Sequence, residues 1–177
     1  MKIRRDAHGL DPIDRRILEV LQSDCKTSLA KIGEQVGLSA PSIIERVRKL
    51  EAEGFIRGYH ALLDPRRLSI DVAAFIGVSI RHPGAIAEFE QRLADLDDVL
   101  ECHHVTGAHT LLLKVKTRNT ESLEQLIRSL REIEGVERTE TSVVLSTKVE
   151  RTALGRSALG AETRKRKRGR NDLRVPA

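Results

Sequence analysis

Apolar residues in the first fifty positions recur with helical spacing, and the recurrence breaks at glycines. Ile13, Ile17, Leu18 and Leu21 form one stripe behind Asp11 and Pro12, an N-cap acid followed by a residue suited to the first helical position. Ser28 and Ser39 each stand where a hydroxyl can accept from the backbone N–H groups that a helix start leaves unpaired. Gly37 and Gly54 stand where the two following helices should stop. The pattern predicts two short helices, SLAKIGEQV and APSIIERVRKLEAE, joined by the turn GLS. So short a turn makes the helices cross steeply, which is the helix-turn-helix arrangement whose second helix fits a DNA major groove. Behind it, FIRGYHALLDP sets Phe55, Ile56, Tyr59, Leu62 and Leu63 among polar residues, the pattern of a wing strand.

From Val72 the period changes. Val72 to Ile80 reads as a strand, apolar on nearly both faces; Ala85 to Leu96 reads as a helix with Ile86, Phe89 and Leu93 as its stripe. Val99 to Val105 and Leu111 to Thr117 read as strands. Asn119 or Thr120 caps a second helix carrying Leu123, Leu126, Ile127 and Leu130 up to Gly135, and Val136 to Val149 reads as the last strand. The order β-α-β-β-α-β is the split βαβ, ferredoxin-like motif. The predicted class is therefore α+β: an N-terminal winged helix-turn-helix domain over 1–63, a linker over 64–71 and a ferredoxin-like βαββαβ domain over 72–150. A basic tail over 151–177, expected to be disordered alone, completes the chain. Helices cover one face of such a sheet, while Ala73 and Phe75 face the other. A second subunit is the expected cover, making a homodimer that would carry two reading helices to successive major grooves about 34 Å apart.

Charge divides along the same boundaries. The chain carries a net +5, but residues 151–177 hold nine Lys or Arg against two acids, residues 1–70 thirteen against ten, and residues 71–150 nine against fourteen. A phosphate-contacting N-terminal module joined to a domain that avoids phosphate would show this asymmetry. One Tyr, three Phe and no Trp disfavour the base-stacking surfaces of single-strand binders. No apolar run approaches the length of a membrane span. MKIRRDAHG lacks a signal-peptide core and Cys25 and Cys102 are far apart, so the expected setting is a reducing cytoplasm.

On the second helix of the pair, Ile43, Ile44, Val47 and Leu50 take the inward positions. Ser39, Pro41, Ser42, Arg46 and Lys49 are the candidate DNA contacts, with hydroxyls near the start for phosphate and arginine further along for guanine edges or phosphate. For Arg46 the competing reading is an ion pair with Glu45, Glu51 or a neighbouring helix, and Arg48 reads as structural or phosphate-facing. Cys102, His103, His104 and His109 are the one cluster with metal-ligand chemistry. Strand alternation sets Cys102 and His104 on one face and His103 on the other, so no metal and no cofactor is expected. No nucleophile–base pair or phosphate-cradling glycine loop points to an enzyme.

The run LDPIDRRILEVLQSD, the segment SIIERVRKLEAEGFIRGYHALLDP, and the later ECHHVTG and GVERTETSVV together resemble the Lrp/AsnC (leucine-responsive, feast/famine) family from about Leu10 to Val149. The resemblance implies a transcription regulator that binds double-stranded DNA, forms dimers that assemble into tetramers or octamers, and takes a small effector, typically an amino acid, between dimers. On this chain the implied effector loop is Thr106, Gly107, Ala108, His109 and Thr110. Many relatives carry acids at the positions of Ala108 and Thr110. A ligand ammonium would here meet backbone carbonyls, the hydroxyls of Thr106 and Thr110, or Glu101 or Glu140. Two rival readings are an enzyme resembling the sirohaem decarboxylases of the same fold, and an amino-acid sensor with no DNA role. The basic run RKRKRGR from Arg164 reads as a sequence-independent phosphate clamp or a solvated tail.

Overall fold

The computed structural model describes residues 9–155, which divide into two compact units, 9–61 with 150–155 and 62–149. The first unit is three helices: α1 Pro12–Ser23, α2 Leu29–Val36 and α3 Ala40–Ala52. Asp11 caps α1 by accepting from the N–H groups of Ile13 and Asp14 at 2.8 Å each, and the Asp14 carboxylate accepts in turn from the Asp11 N–H at 3.1 Å. This reciprocal pair satisfies donors that a helix start otherwise strands. Ser28 caps α2 through the Lys31 N–H at 3.3 Å. The apolar stripes meet in a core of Leu10, Ile17, Leu18, Ile32, Ile43, Val47 and Leu50, each full burial contributing roughly 1.5–3 kcal/mol.

The turn between α2 and α3 depends on two glycines. Gly37 ends α2 at φ 72°, a left-handed conformation open to glycine at little cost. Gly33, inside α2, lies so close to the Leu38 carbonyl that a Cβ there would collide with it. The expected wing strand is not formed among the described residues: positions 55–63 join no ladder, because an extended segment without a neighbouring strand has nowhere to place its backbone bonds. Tyr59 instead ties the segment to α3, its hydroxyl donating to Glu51 at 2.9 Å.

The second unit runs β1 Val72–Ile80, α4 Ile86–Leu93, β2 Val99–His104, β3 Leu111–Thr117, α5 Thr120–Glu132 and β4 Val136–Val143. The four strands lie in the order β2-β3-β1-β4, all neighbours antiparallel, the ferredoxin-like topology. Asn119, not Thr120, caps α5, its side chain accepting from Ser122 N–H at 2.8 Å. Ala74, Ile76 and Val78 of β1 and Leu111, Leu113 and Val115 of β3 pack against Phe89, Leu93, Leu123, Leu126 and Leu130. The last strand stops at Val143 rather than Val149. Its ladder partner β1 begins at Val72, and the final bond runs from the Val144 N–H to the Ala73 carbonyl at 2.8 Å.

The opposite face of this sheet carries no helix. Register places Phe75, Lys114, Glu101 and Ser142 in one row across it, and Gly77, Leu112, His103 and Glu140 in the next. Phe75 is 41 % exposed there. No helix among the described residues is long and apolar enough to cross a membrane. The basic run beginning at Arg164 lies outside the described residues.

Candidate nucleic-acid interface and effector loop

The outer face of α3 is built by its buried one. With Ile43, Val47 and Leu50 in the core, helical spacing leaves Pro41, Glu45 and Arg48 exposed and Ser42, Arg46 and Lys49 half-buried. Ser39 is the N-cap residue but does not cap with its side chain. Its Oγ lies 3.0 Å from the Ser42 Oγ, so the start of α3 carries a paired set of hydroxyls instead of a closed cap. Lys49 reaches Glu53 at 3.6 Å on the surface, a contact worth little in water.

Arg46 is placed differently from its expected outward role. Its Nη1 donates to Asp11 Oδ2 and to Asp14 Oδ1, both at 2.6 Å, with the side chain 26 % exposed. The competing reading, an ion pair with a neighbouring helix, describes this geometry. Burial alone would raise the Asp11 carboxyl, but the Asp14 N–H, the Arg46 guanidinium and the Ile13 N–H outweigh it and hold that carboxyl below its ordinary range. One guanidinium thus joins the capping pair of α1 to the middle of α3.

The loop from Val105 to Thr110 is closed by the Val105 N–H donating to the Thr110 carbonyl at 3.1 Å. Thr106, Gly107 and Ala108 are exposed, and His109 and Thr110 half-buried. The Thr110 hydroxyl accepts from the Ile80 N–H at 3.1 Å, where the β1–β4 register slips. The His109 imidazole lies directly on Gly77, so closely that a Cβ at that position would overlap the ring. Its Nε2 is 3.9 Å from Glu140 Oε2, while its Nδ1 is buried without a hydrogen-bond partner. Of the two acids considered as ammonium partners, Glu140 sits beside the loop. Glu101 is engaged elsewhere, accepting from His103 at 3.0 Å and Lys114 at 2.9 Å, which hold its carboxyl below the ordinary range.

The remaining histidines do not converge with Cys102. Cys102 pairs with Leu113 and His104 with Leu111, whereas His103 pairs with Leu112, so alternation separates them. Burial, and then the charge of Glu90, push the Cys102 thiol up, away from the thiolate a metal would need. Among the described residues no three His, Cys, Asp or Glu side chains gather to hold a metal ion. The partners missed by sequence reasoning are Asp11 and Asp14 for Arg46, and Gly77 beneath His109. The LDPIDR acids were visible as capping residues, but nothing local marked them as acceptors for a distant arginine.

Comparison with known proteins places both units. Residues 10–51 match the AsnC-type helix-turn-helix domain and residues 73–154 the Lrp/AsnC ligand binding domain. The HTH-type transcriptional regulator FL11 of Pyrococcus abyssi is 37 % identical over 146 residues, 82 % of this chain and 96 % of that protein. The leucine-responsive regulatory protein of Escherichia coli K12 is 36 % identical over 145 residues, 80 % and 88 % of the two chains. Among solved structures, a transcriptional regulator from Neisseria meningitidis in complex with L-Met aligns with TM-score 0.80 and 31 % identity, covering 85 % of this chain and 99 % of that one. These relatives are regulators, and they lend no support to the enzyme alternative. With both domains matched in order, and relatives aligned over four-fifths of its length, the chain belongs to the Lrp/AsnC family of transcriptional regulators.

Proposed function

We propose that this regulator reads double-stranded DNA with α3, using Ser39, Pro41 and Ser42 against the backbone at the helix start and Arg48 and Lys49 along its length. The observation that carries the reading is the α3 surface itself, where two adjoining hydroxyls and two cations lie outside a helix whose other side is core. Arg46 acts as a positioning residue that holds the reading helix on α1. Hydroxyl-radical footprinting on the promoter adjoining its own gene should give two protected half-sites in successive major grooves. A purified protein indifferent to that duplex at low salt overturns the assignment.

The effector is an amino acid, a class supported by the neighbour solved with L-Met. It binds at the loop of Thr106, Gly107, Ala108, His109 and Thr110, with Glu140 as the carboxylate for its ammonium group. Two copies pair through the open face around Phe75 and Leu112, the dimers assemble to tetramers or octamers, and the particle works in the cytoplasm. Effector binding acts by favouring one assembly over another, which requires unequal affinity for the two. Sedimentation at micromolar concentration should give at least a dimer, and a stable monomer overturns the pairing. Calorimetry against the twenty amino acids should find at least one that releases heat and shifts DNA affinity; twenty blanks overturn the effector.

A further inference from the structure

The chain does not stop at the sheet. After Val149 it rejoins the first unit, where residues 150–155 belong with 9–61. The Leu154 N–H donates to the Gln22 side-chain oxygen at 2.7 Å. Ala153 and Leu154 there help to line a cavity of about 510 Å³ shared with Arg16 and Gln22 of α1 and Lys31 and Gln35 of α2. The exit point of the chain therefore lies beside α2, the helix that in this motif crosses the DNA backbone. The family match ends at residue 154, and the sequence beyond it is strongly charged. Arg164, Lys165, Arg166, Lys167, Arg168 and Arg170 put six cations into seven residues.

Resting on the DNA-binding reading above, we propose that this basic block is a second DNA contact, a clamp on the phosphates flanking the sequence read by α3. Ten residues separate Leu154 from Arg164, so the block reaches at most about 36 Å from its anchor. That span is close to one turn of duplex. Within it, residues 155–163 bring only Arg156 and Glu162, a nearly neutral spacer. Duplex DNA offers one negative charge per roughly 1.7 Å of axis, a far denser target than the scattered acids of residues 71–150. Arginine and lysine without interleaved aromatic residues give no base reading. The clamp raises affinity for every sequence alike and leaves half-site choice to α3. Tethering makes the second contact intramolecular, so it strengthens binding beyond what the block would achieve alone.

The test compares the full chain with a full-length variant in which these six residues are changed to glutamine, on promoter duplex and on random duplex, between about 50 and 200 mM salt. Each lost phosphate contact lowers the slope of log affinity against log salt by about 0.9. With four to six contacts per chain, the intact protein should lose about 10²–10³-fold more affinity than the variant across that range. Both duplexes should be affected equally. Footprints should keep the half-sites and lose flanking protection within about ten base pairs. Equal slopes and equal affinities overturn the clamp while leaving recognition by α3 standing, and a full chain that binds no duplex overturns both. Tighter binding by the variant also overturns it, since the block would then be occupying the chain's own acidic surface. So does an unchanged duplex affinity accompanied by lost binding to single-stranded RNA or to anionic vesicles.

Discussion

Arg46 Nη1 sits 2.6 Å from Asp14 Oδ1, and the same nitrogen sits 2.6 Å from Asp11 Oδ2. Two carboxylates that close the start of α1 are thereby bound to the helix that reads DNA. Arg46→Ala leaves both with half their satisfaction removed in a largely buried place, which should cost about 1–3 kcal/mol of stability in the first unit. Urea unfolding followed by helical signal measures it. DNA affinity should fall by one common factor on promoter and random duplex, because the scaffold is loosened. A loss confined to the promoter would make Arg46 a base reader after all.

Acid should find the same place. Asp11 has its carboxyl held below the ordinary value of 3.8, so its unfolded form takes up a proton before its folded form does. The stability it contributes is complete above that value and is lost as pH falls through the lower folded value. Melting temperatures of the wild type should therefore drop steeply below about pH 4. Asp11→Asn keeps a capping oxygen and removes the charge, and its melting profile should be flatter in that window.

Tyr59 is the single tyrosine of a chain without tryptophan, so its phenolate absorbance can be followed alone. Burial, and then the hydrogen bond and charge of Glu51, raise its pKa from 10.0 to about 12. Alkaline titration of the folded protein should give a midpoint near 12, and Glu51→Gln should bring it back toward 10. Because the folded value is the higher one, the contribution to stability is whole below pH 10 and disappears as pH rises through about 12.

Two glycines should respond differently to alanine. At Gly33 the new methyl meets the Leu38 backbone carbonyl, which cannot move without opening the α2–α3 turn, so Gly33→Ala should destabilise the first unit by about 1–3 kcal/mol. At Gly77 it meets the His109 ring, the end of a side chain that can rotate away. Gly77→Ala should cost less than about 1 kcal/mol while displacing His109 from the effector loop. Denaturant unfolding separates the two, and effector-dependent DNA binding should change in the second alone.

Local signals carried the architecture. Asp11 with Pro12, Ser28, Asn119 and the apolar stripes act within one or two helical turns, and those turns alone suffice to place α1, α2, α3 and α5. Alternation likewise placed β1 and β3, and assigned Cys102 and His103 to opposite faces. Four outcomes were settled only when distant segments met. Arg46 occupies an outward-looking position on its own helix, but its partners lie 32 and 35 residues away, where a half-buried guanidinium finds two carboxylates already fixed by capping. Ser39 looks like a cap and pairs with Ser42 instead, because the hydroxyl of the next turn is the nearer partner. Strand length at β4 depends on where β1 begins, and the segment 55–63 forms no strand because a ladder needs a neighbour. His109 rests on Gly77 through strand pairing that no spacing along the chain encodes. Short-range hydrogen bonds and periodicity are written in neighbouring letters, whereas ion pairs, ladder ends and close approaches depend on which surfaces the collapsed chain brings together.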